Sequence, residues 1–439
     1  MFHSGDLTMS PEEVVRIFVN RLGPDRPLAI AVSGGGDSIA LLNLLVEARN
    51  RGEIAYLLAI TVDHGLRAGS DTEARQVAAW CAELDVDHAI ATWKGLKPAT
   101  GLQNEARLAR YRLVRETAMA RGVNCVATAH NADDQVETVR MRGMRNPGRG
   151  LSGMAQNVLY RRDFWILRPL LGVRRTDLRR YLENSGKRWI DDPSNEDRRF
   201  ERVRIRQDMQ DFEDDLVDIE KNASERVTDA LETASVFETS VSAHHPALAR
   251  MQISPREQRA WLQALAFLLS IMGGRQHLPG AELMDRVAQF AKSNAKGRMT
   301  AGRCVIEKHG DLFFIYRENR NLPTVRLEPG ESLIWDGRYE VANSSSDQTA
   351  ILYPMGDVEA ETGLEPAYKE APKGLLARAH RTLPTCRSAA ASSVESPSVE
   401  FMRILAPFDL FLPEFDMIIA RSCAKLFGAP NYPAPPLRH

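Results

Sequence analysis

Residues 28–45 read LAIAVSGGGDSIALLNLL, and no other stretch narrows the possible folds as much. Leu28–Val32 is an apolar run that suits a buried strand. Ser33-Gly34-Gly35-Gly36-Asp37-Ser38 is small and polar. Ile39, Leu41, Leu42, Leu44 and Leu45 then recur as the buried face of a helix. A strand, a glycine-rich turn and a helix make a phosphate-binding loop. The glycines let backbone N–H groups at the helix start approach phosphate, and the two serines add hydroxyl donors. Three consecutive glycines are costly for a mere turn or helix cap. The loop lacks GxxxxGK[ST], hence the lysine that serves β- and γ-phosphates, and its spacing is not GxGxxG. Asp37 stands out, because a carboxylate beside phosphates repels them. Its presence makes sense if it binds Mg²⁺ brought in with a nucleotide.

The chain around this loop alternates strand and helix patterns. A helix is predicted over Pro11–Leu22. Strands are predicted over Leu28–Val32, Ala55–Val62, His88–Thr92 and Cys125–Ala129. Helices are predicted over Ile39–Arg49, Asp71–Leu84 and Glu105–Ala120, and from Val136 onward after a polar His130–Gln135 turn. Such alternation predicts an α/β fold with a parallel, doubly wound sheet. Ligands of these folds sit beyond the carboxyl ends of the strands. Ser33–Ser38, Asp63-His64 and His130–Glu137 all follow predicted strands, so they are expected to converge there.

Charge marks the next boundary. Residues 101–210 carry 23 Lys+Arg against 14 Asp+Glu, and nearly all of the cations are arginine. Arginine grips phosphates bidentately and stacks on bases, which favours an RNA partner over a merely solvated basic surface. Asp208–Glu220 then holds seven acids and no cation. That switch separates a catalytic domain over 1–210 from a helical domain over 211–298, with helices expected at Arg226–Val241, Pro255–Met272 and Gly280–Lys292. Residues 299–439 form a third region. Arg303–Ile306, Leu312–Arg317 and Val325–Val341 read as β-ribbons, Ser344–Asp347 and Ala389–Ser398 as linkers, and Pro433–His439 as an extended tail.

Membrane and secretory classes are disfavoured. No apolar run is long enough to span a bilayer, and the first residues lack a basic segment followed by an apolar core. Five dispersed cysteines without a CxxC point to a reducing compartment, the cytoplasm, and away from zinc ribbons and disulfide scaffolds.

SGGxDS after an apolar strand resembles the PP-loop of the N-type ATP pyrophosphatases, an adenine nucleotide α-hydrolase-like fold. The resemblance implies that the loop holds the pyrophosphate of ATP and that the α–β bond breaks, which accounts for the missing lysine. Further motifs follow in order: VDHGLR at Val62–Arg67, EARLARY at Glu105–Tyr111, TAHNADDQVET at Thr128–Thr138, GLSGM at Gly150–Met154, RPLL at Arg168–Leu171, DDPSN at Asp191–Asn195 and FERVRIR at Phe200–Arg206. In this order and spacing they resemble the tRNA(Ile)-lysidine synthase family over roughly residues 25–210.

That resemblance implies ligation of L-lysine to C2 of the wobble cytidine in the CAU-anticodon isoleucine tRNA, with decoding shifted from AUG to AUA. The C2 oxygen of cytosine is a poor leaving group. Adenylation lets it depart as AMP, after which a neutral lysine amine attacks C2 and its proton passes to a base. The implied ATP site comprises Ser33, Gly34, Gly35, Gly36, Asp37, Ser38, Asp63 and His64, with Asp37 as the Mg²⁺ ligand. Arg110, supported by Arg107, is aimed at the α-phosphate. His130, Asp134 and Glu137 are the candidate lysine-binding and catalytic groups, with Asp133 beside them. Asp134 and Glu137 stand three residues apart at a helix start and can face one pocket. Arg107, Arg202, Arg204 and Arg206 are expected to touch tRNA. Taken alone, the acids also read as a helix cap, the arginines as a solvated face, and Asp63-His64 as a turn.

The sequence departs from the family pattern in three places. Val203 stands where the family has Asn, Asn131 follows His130 where a second His is common, and the last third lacks recognisable basic motifs. A 2-thiocytidine synthase would require cysteines that are absent. A glutamine-dependent ligase would require an amidotransferase domain, and an intact Asp37 and DDQxET argue against a non-catalytic binding module. A homodimer is left open.

Overall fold

The computed structural model describes residues 9–66, 69–145, 149–191, 204–205, 212–254, 258–293, 296–356, 371–372, 374–390 and 397–438. The expected contacts Arg202 and Arg206, the substituted Val203 and most of DDPSN lie outside these residues. The chain forms two compact units. One comprises Met1–Val227 with Pro413–Phe415 and Pro433–His439, and the other Thr228–Leu412 with Asp416–Tyr432.

The first unit is built on β1 (Pro27–Ala31), β2 (Tyr56–Asp63), β3 (Asp87–Thr92), β4 (Cys125–Ala127), β5 (Asn157–Tyr160) and β6 (Phe164–Leu167). These lie in the order β5-β6-β4-β1-β2-β3. All neighbours pair in parallel except β5 and β6, a hairpin whose antiparallel register matches Asn157 with Leu167. The sheet is therefore parallel, as the alternation predicted, with an antiparallel hairpin added beside β4 that the sequence did not announce. A turn of three residues between two buried, four-residue strands carries too little alternation to announce itself. Leu28, Ala29 and Ile30 have no exposed surface, as expected of a central strand covered on both faces.

Helices fill the crossovers: α1 (Pro11–Leu22), α2 (Gly36–Asn50), α3 (Ser70–Glu83), α4 (Leu102–Met119), α5 (Ala132–Arg145) and α6 (Arg175–Asn184). Helix α1 starts on a reciprocal cap between Ser10 and Glu13, with Pro11 in its first turn. Helices α1 and α6 pack on α2, and α4 lies along β2, β3 and β4. Two helix starts differ from expectation. Helix α2 begins inside the glycine loop, because Gly36 and Asp37 already adopt the first turn. Helix α5 begins at Ala132, four residues before Val136. Asn131 and Asp134 explain this: each side chain accepts the other's backbone N–H, at 3.0 and 3.1 Å, making a cap from residues that read as a turn. Of the predicted tail Pro433–His439, residues 433–438 are described; they are irregular as predicted, yet docked. The Arg438 N–H donates to the Arg21 carbonyl at 2.7 Å, and Leu437 is buried.

In the second unit the helices Gln258–Gly273 and Ala281–Lys292 appear where helical periodicity placed them. The expected helical stretch also contains a hairpin, Val241–His245 with Leu248–Gln252. Its second strand pairs with Leu312–Arg317, so both strands join the ribbons Gly297–Ala301 and Cys304–His309 in one five-stranded antiparallel sheet. Two three-stranded sheets complete the unit around Trp335, Phe314, Val341 and Leu352. Asp336 lies fully buried there and accepts from Arg303, Arg317 and Arg338. Among the described residues no helix is long and apolar enough to cross a membrane.

Candidate active site

The strand order reverses between β1 and β4: successive strands run outward from β1 through β2 to β3, and the chain then returns to β4 on the other side. A crevice opens at such a switch point beyond the strand ends. Ser33–Ser38 follows β1 and His130–Glu137 follows β4, so the two motifs are brought together as the alternation implied.

The loop is held by its own serines. The Ser38 hydroxyl donates to the Gly35 carbonyl at 2.8 Å and accepts the Ser33 N–H at 3.2 Å. Gly35 precedes α2 in extended conformation, and no side chain caps the helix. The orphan N–H groups of that first turn therefore remain available to an anionic ligand. Gly34 has φ +87°, and a Cβ there would lie 2.8 Å from the Ile190 side chain. The Ile190 N–H donates to the Gly34 carbonyl at 2.9 Å. The loop is thus pinned from behind by a residue far along the chain.

Arg175 is the residue that sequence reasoning missed. Its guanidinium reaches Asp37 at 3.3 Å, Asp134 at 3.1 Å and Glu137 at 3.2 Å, and its backbone N–H donates to Asp133 at 2.8 Å. Asp133 therefore caps α6, while the other three carboxylates surround one cation. Burial disfavours the Arg175 charge, but Asp134, Asp37 and Glu137 outweigh it and hold the guanidinium charged above the usual range. Asp37 moves the other way: burial lifts its pKa above the ordinary aspartate value, and Arg175 only partly offsets this. Glu137 is completely buried. The only sequence signal for Arg175 was its place in the arginine-rich segment.

The other candidates take definite places. His130 precedes α5, with Nδ1 3.0 Å from the Thr128 hydroxyl. Asp63 accepts from the Gly65 N–H at 2.9 Å and the Ser70 hydroxyl at 2.8 Å, so it shapes the turn after β2. Both ring nitrogens of His64 are buried without a partner among the described residues, and the ring meets Trp93 edge-on at 5.9 Å. Burial, then the Arg110 cation, pushes the His64 pKa down to about 4, so the ring is neutral at pH 7. Arg107 and Arg110 are exposed on α4, Arg107 lying 5.2 Å over the Tyr111 ring. Arg204 is exposed, in the short described stretch 204–205.

Asp37, Asp134 and Glu137 are hard oxygen donors, but no group of three or more His, Cys, Asp or Glu among the described residues is arranged to hold a metal ion. Asp37 at the loop fits Mg²⁺ only as one protein ligand completed by nucleotide phosphates, the usual arrangement for this ion.

Comparison with known proteins agrees with this geometry. Residues 9–212 match the PP-loop domain family. The chain is 36% identical to a tRNA(Ile)-lysidine synthase of Rhizobium meliloti (strain 1021), over 97% of each chain. It is 38% identical to that of Mesorhizobium japonicum over 93% of each chain, and 30% identical to that of Bartonella tribocorum over 92% of this chain and 96% of the relative.

Proposed function

The chain belongs to the tRNA(Ile)-lysidine synthase family of PP-loop proteins, and from that membership we propose the following reaction. It ligates L-lysine to C2 of the wobble cytidine of the CAU-anticodon isoleucine tRNA at the expense of ATP. The cytidine O2 attacks the α-phosphorus and pyrophosphate leaves. The lysine ε-amine then attacks C2, the C2–O bond breaks with AMP as leaving group, and the amine proton passes to a base. The reaction runs in the cytoplasm, where its substrates are.

The observation that carries this reading is the meeting of an uncapped, glycine-lined helix start with three carboxylates at one switch point. Ser33–Ser38 is assigned the pyrophosphate, and Asp37 would hold Mg²⁺ together with the phosphates. The ion would screen the charge that builds up on departing pyrophosphate. The unpartnered donor and acceptor of His64 suit the edge of a nucleobase, here adenine. Asp134 and Glu137 already surround a cationic side chain, which is the preference needed to receive the substrate's ammonium groups. His130 and Asp134 are assigned proton acceptance, and Arg110 the charge on the α-phosphate.

The test is incubation with ATP, labelled lysine and CAU-anticodon isoleucine tRNA. Incorporation only when the wobble base is cytidine supports the proposal. Transfer to another acceptor, with none to this tRNA, overturns it.

A further inference from the structure

Most buried arginines of this chain face a carboxylate: Arg175 has three, and Arg317 and Arg338 share Asp336. Arg168 does not. It follows β6, is only 4% exposed, and donates from Nη1 to the Ala155 carbonyl at 2.7 Å. Its Nε is buried with no partner among the described residues. Arg142, on α5, donates to the carbonyls of Gly153 at 3.1 Å and Gly150 at 3.4 Å, and it too has no carboxylate partner among the described residues. Arg107 closes the group from α4 over Tyr111, whose phenol faces Arg168.

We propose that Arg107, Arg142 and Arg168 form a phosphodiester subsite for the RNA strand, on the far side of the α5 carboxylates from the glycine loop. This rests on the tRNA reading above. The sheet order supplies the placement. The loop follows β1, the carboxylates follow β4, and Arg168 follows β6, so β4 lies between the two anion-binding positions. The nucleotide's phosphates are taken up on the β1 side. The anion on the β6 side therefore belongs to the second substrate. Arg142 stands five residues beyond Glu137 on α5, roughly 7.5 Å along the helix axis. That is near enough for a strand whose base enters the carboxylate pocket to lay its backbone across the arginines.

The chemistry fits a phosphodiester. Arg107 and Arg142 are exposed, so a strand can reach them, and Arg168 adds a buried charge beneath. Backbone carbonyls orient Arg142 and Arg168 without neutralising them; the exposed Arg142 keeps donors for phosphate oxygens, and Arg168 adds its charge from below. Burial and the neighbouring guanidiniums of Arg107, Arg226 and Arg168 press the Arg142 pKa below the usual range; for Arg168, burial and Arg107 do the same, and the Tyr111 phenol only partly offsets them. A bound anion relieves that mutual repulsion.

The test uses the full chain and the CAU-anticodon isoleucine tRNA, with affinity measured across salt concentrations. Arg142→Gln, an exposed change that should not disturb folding, is expected to weaken tRNA binding about five- to tenfold. It should also flatten the slope of log affinity against log salt by about 0.7 to 0.9. Arg168→Lys should act in the same direction, with a melting curve checking its fold. Affinity for a non-hydrolysable ATP analogue should stay constant in both. An unchanged salt slope in Arg142→Gln overturns the subsite, as does weakened nucleotide binding with tRNA binding intact, which would assign the arginines to ATP. A wild-type chain that transfers no lysine, yet binds RNA through Arg142, overturns the proposed function and upholds the subsite.

Discussion

Arg175 stands 3.3 Å from Asp37, so the carboxylate at the glycine loop is bridged to a cation of the chain itself. The same guanidinium holds Asp134 and Glu137. A single arginine thereby ties the loop after β1 to the helix after β4, and it keeps three acids together that would otherwise repel one another.

Removing that cation strands the acids. Arg175→Gln is expected to cost about 3 to 5 kcal/mol of stability, the usual cost of breaking a buried ion pair from one side. The sign of its pH dependence follows from linkage. Asp37 already has its pKa raised by burial, and losing Arg175 raises it further. A carboxylate with a raised folded pKa gains stability as pH falls through that pKa toward the unfolded value. Thermal melts should therefore show a smaller deficit at pH 5 than at pH 7.5. Equal deficits would mean that the acids are not the cause.

Asp37→Asn keeps the shape of the side chain and removes its charge. Pyrophosphate release in the presence of tRNA should fall about 100-fold or more, equivalent to some 2.7 kcal/mol of barrier. Retention of tRNA in a filter-binding assay should be unaffected. Undiminished pyrophosphate release would exclude Asp37 from the metal and phosphate chemistry.

Gly34→Ala tests the pinning of the loop. Its φ of +87° disfavours any side chain, and the new Cβ would press on Ile190 at 2.8 Å. A loss of about 1 to 3 kcal/mol is expected, with a higher KM for ATP. Ile190→Ala opens space beside that Cβ, so the double variant should recover part of the packing penalty but none of the φ strain. Strict additivity of the two changes in denaturant unfolding would show that they do not touch.

His64 links stability to acid. Its folded pKa of about 4 lies below the unfolded value, so the unfolded chain binds a proton first as pH falls. The folded state loses ground from about pH 6.5 down to about pH 4 and gains nothing above that window. His64→Phe should remove roughly 1 kcal/mol of that loss, after allowing for solvent screening of a partly accessible group. Chemical denaturation at pH 7.5 and pH 5 measures it.

In the second unit, Asp336→Asn should be the most damaging single change. It leaves Arg317 and Arg338 buried without a countercharge, at a cost of about 3 to 5 kcal/mol. A shift in the denaturant midpoint of the second unit's tryptophans reports it, and a midpoint equal to wild type would refute the role.

Much of the first unit was legible because its signals are local. A strand, a loop and a helix over residues 28–45 follow from apolar spacing and three glycines. The convergence of Ser33–Ser38 with His130–Glu137 follows from strand alternation alone. Asp134 and Glu137 reach the same guanidinium because a helix turn is short. The early start of α5 escaped because it depends on a reciprocal cap between Asn131 and Asp134 rather than on apolar periodicity. The hairpin Val241–His245 with Leu248–Gln252 escaped because its strands are short and it interrupts a helical stretch.

What the tertiary structure decided is which charges meet. Arg175 lies 138 residues from Asp37 along the chain and 38 from Glu137, and nothing in its neighbours distinguishes it from the other arginines of residues 101–210. Ile190 reaches back to Gly34, and Arg168 meets the Tyr111 phenol with no carboxylate partner among the described residues. Residue type and spacing determine local conformation through dihedral preferences and periodic burial. Pairing of charges depends instead on Coulomb energy and desolvation, which act through space once the sheet has set the distances. The amino-acid order therefore determined a phosphate loop at a switch point. Packing alone decided that a cation of the chain would lie between Asp37, Asp134 and Glu137.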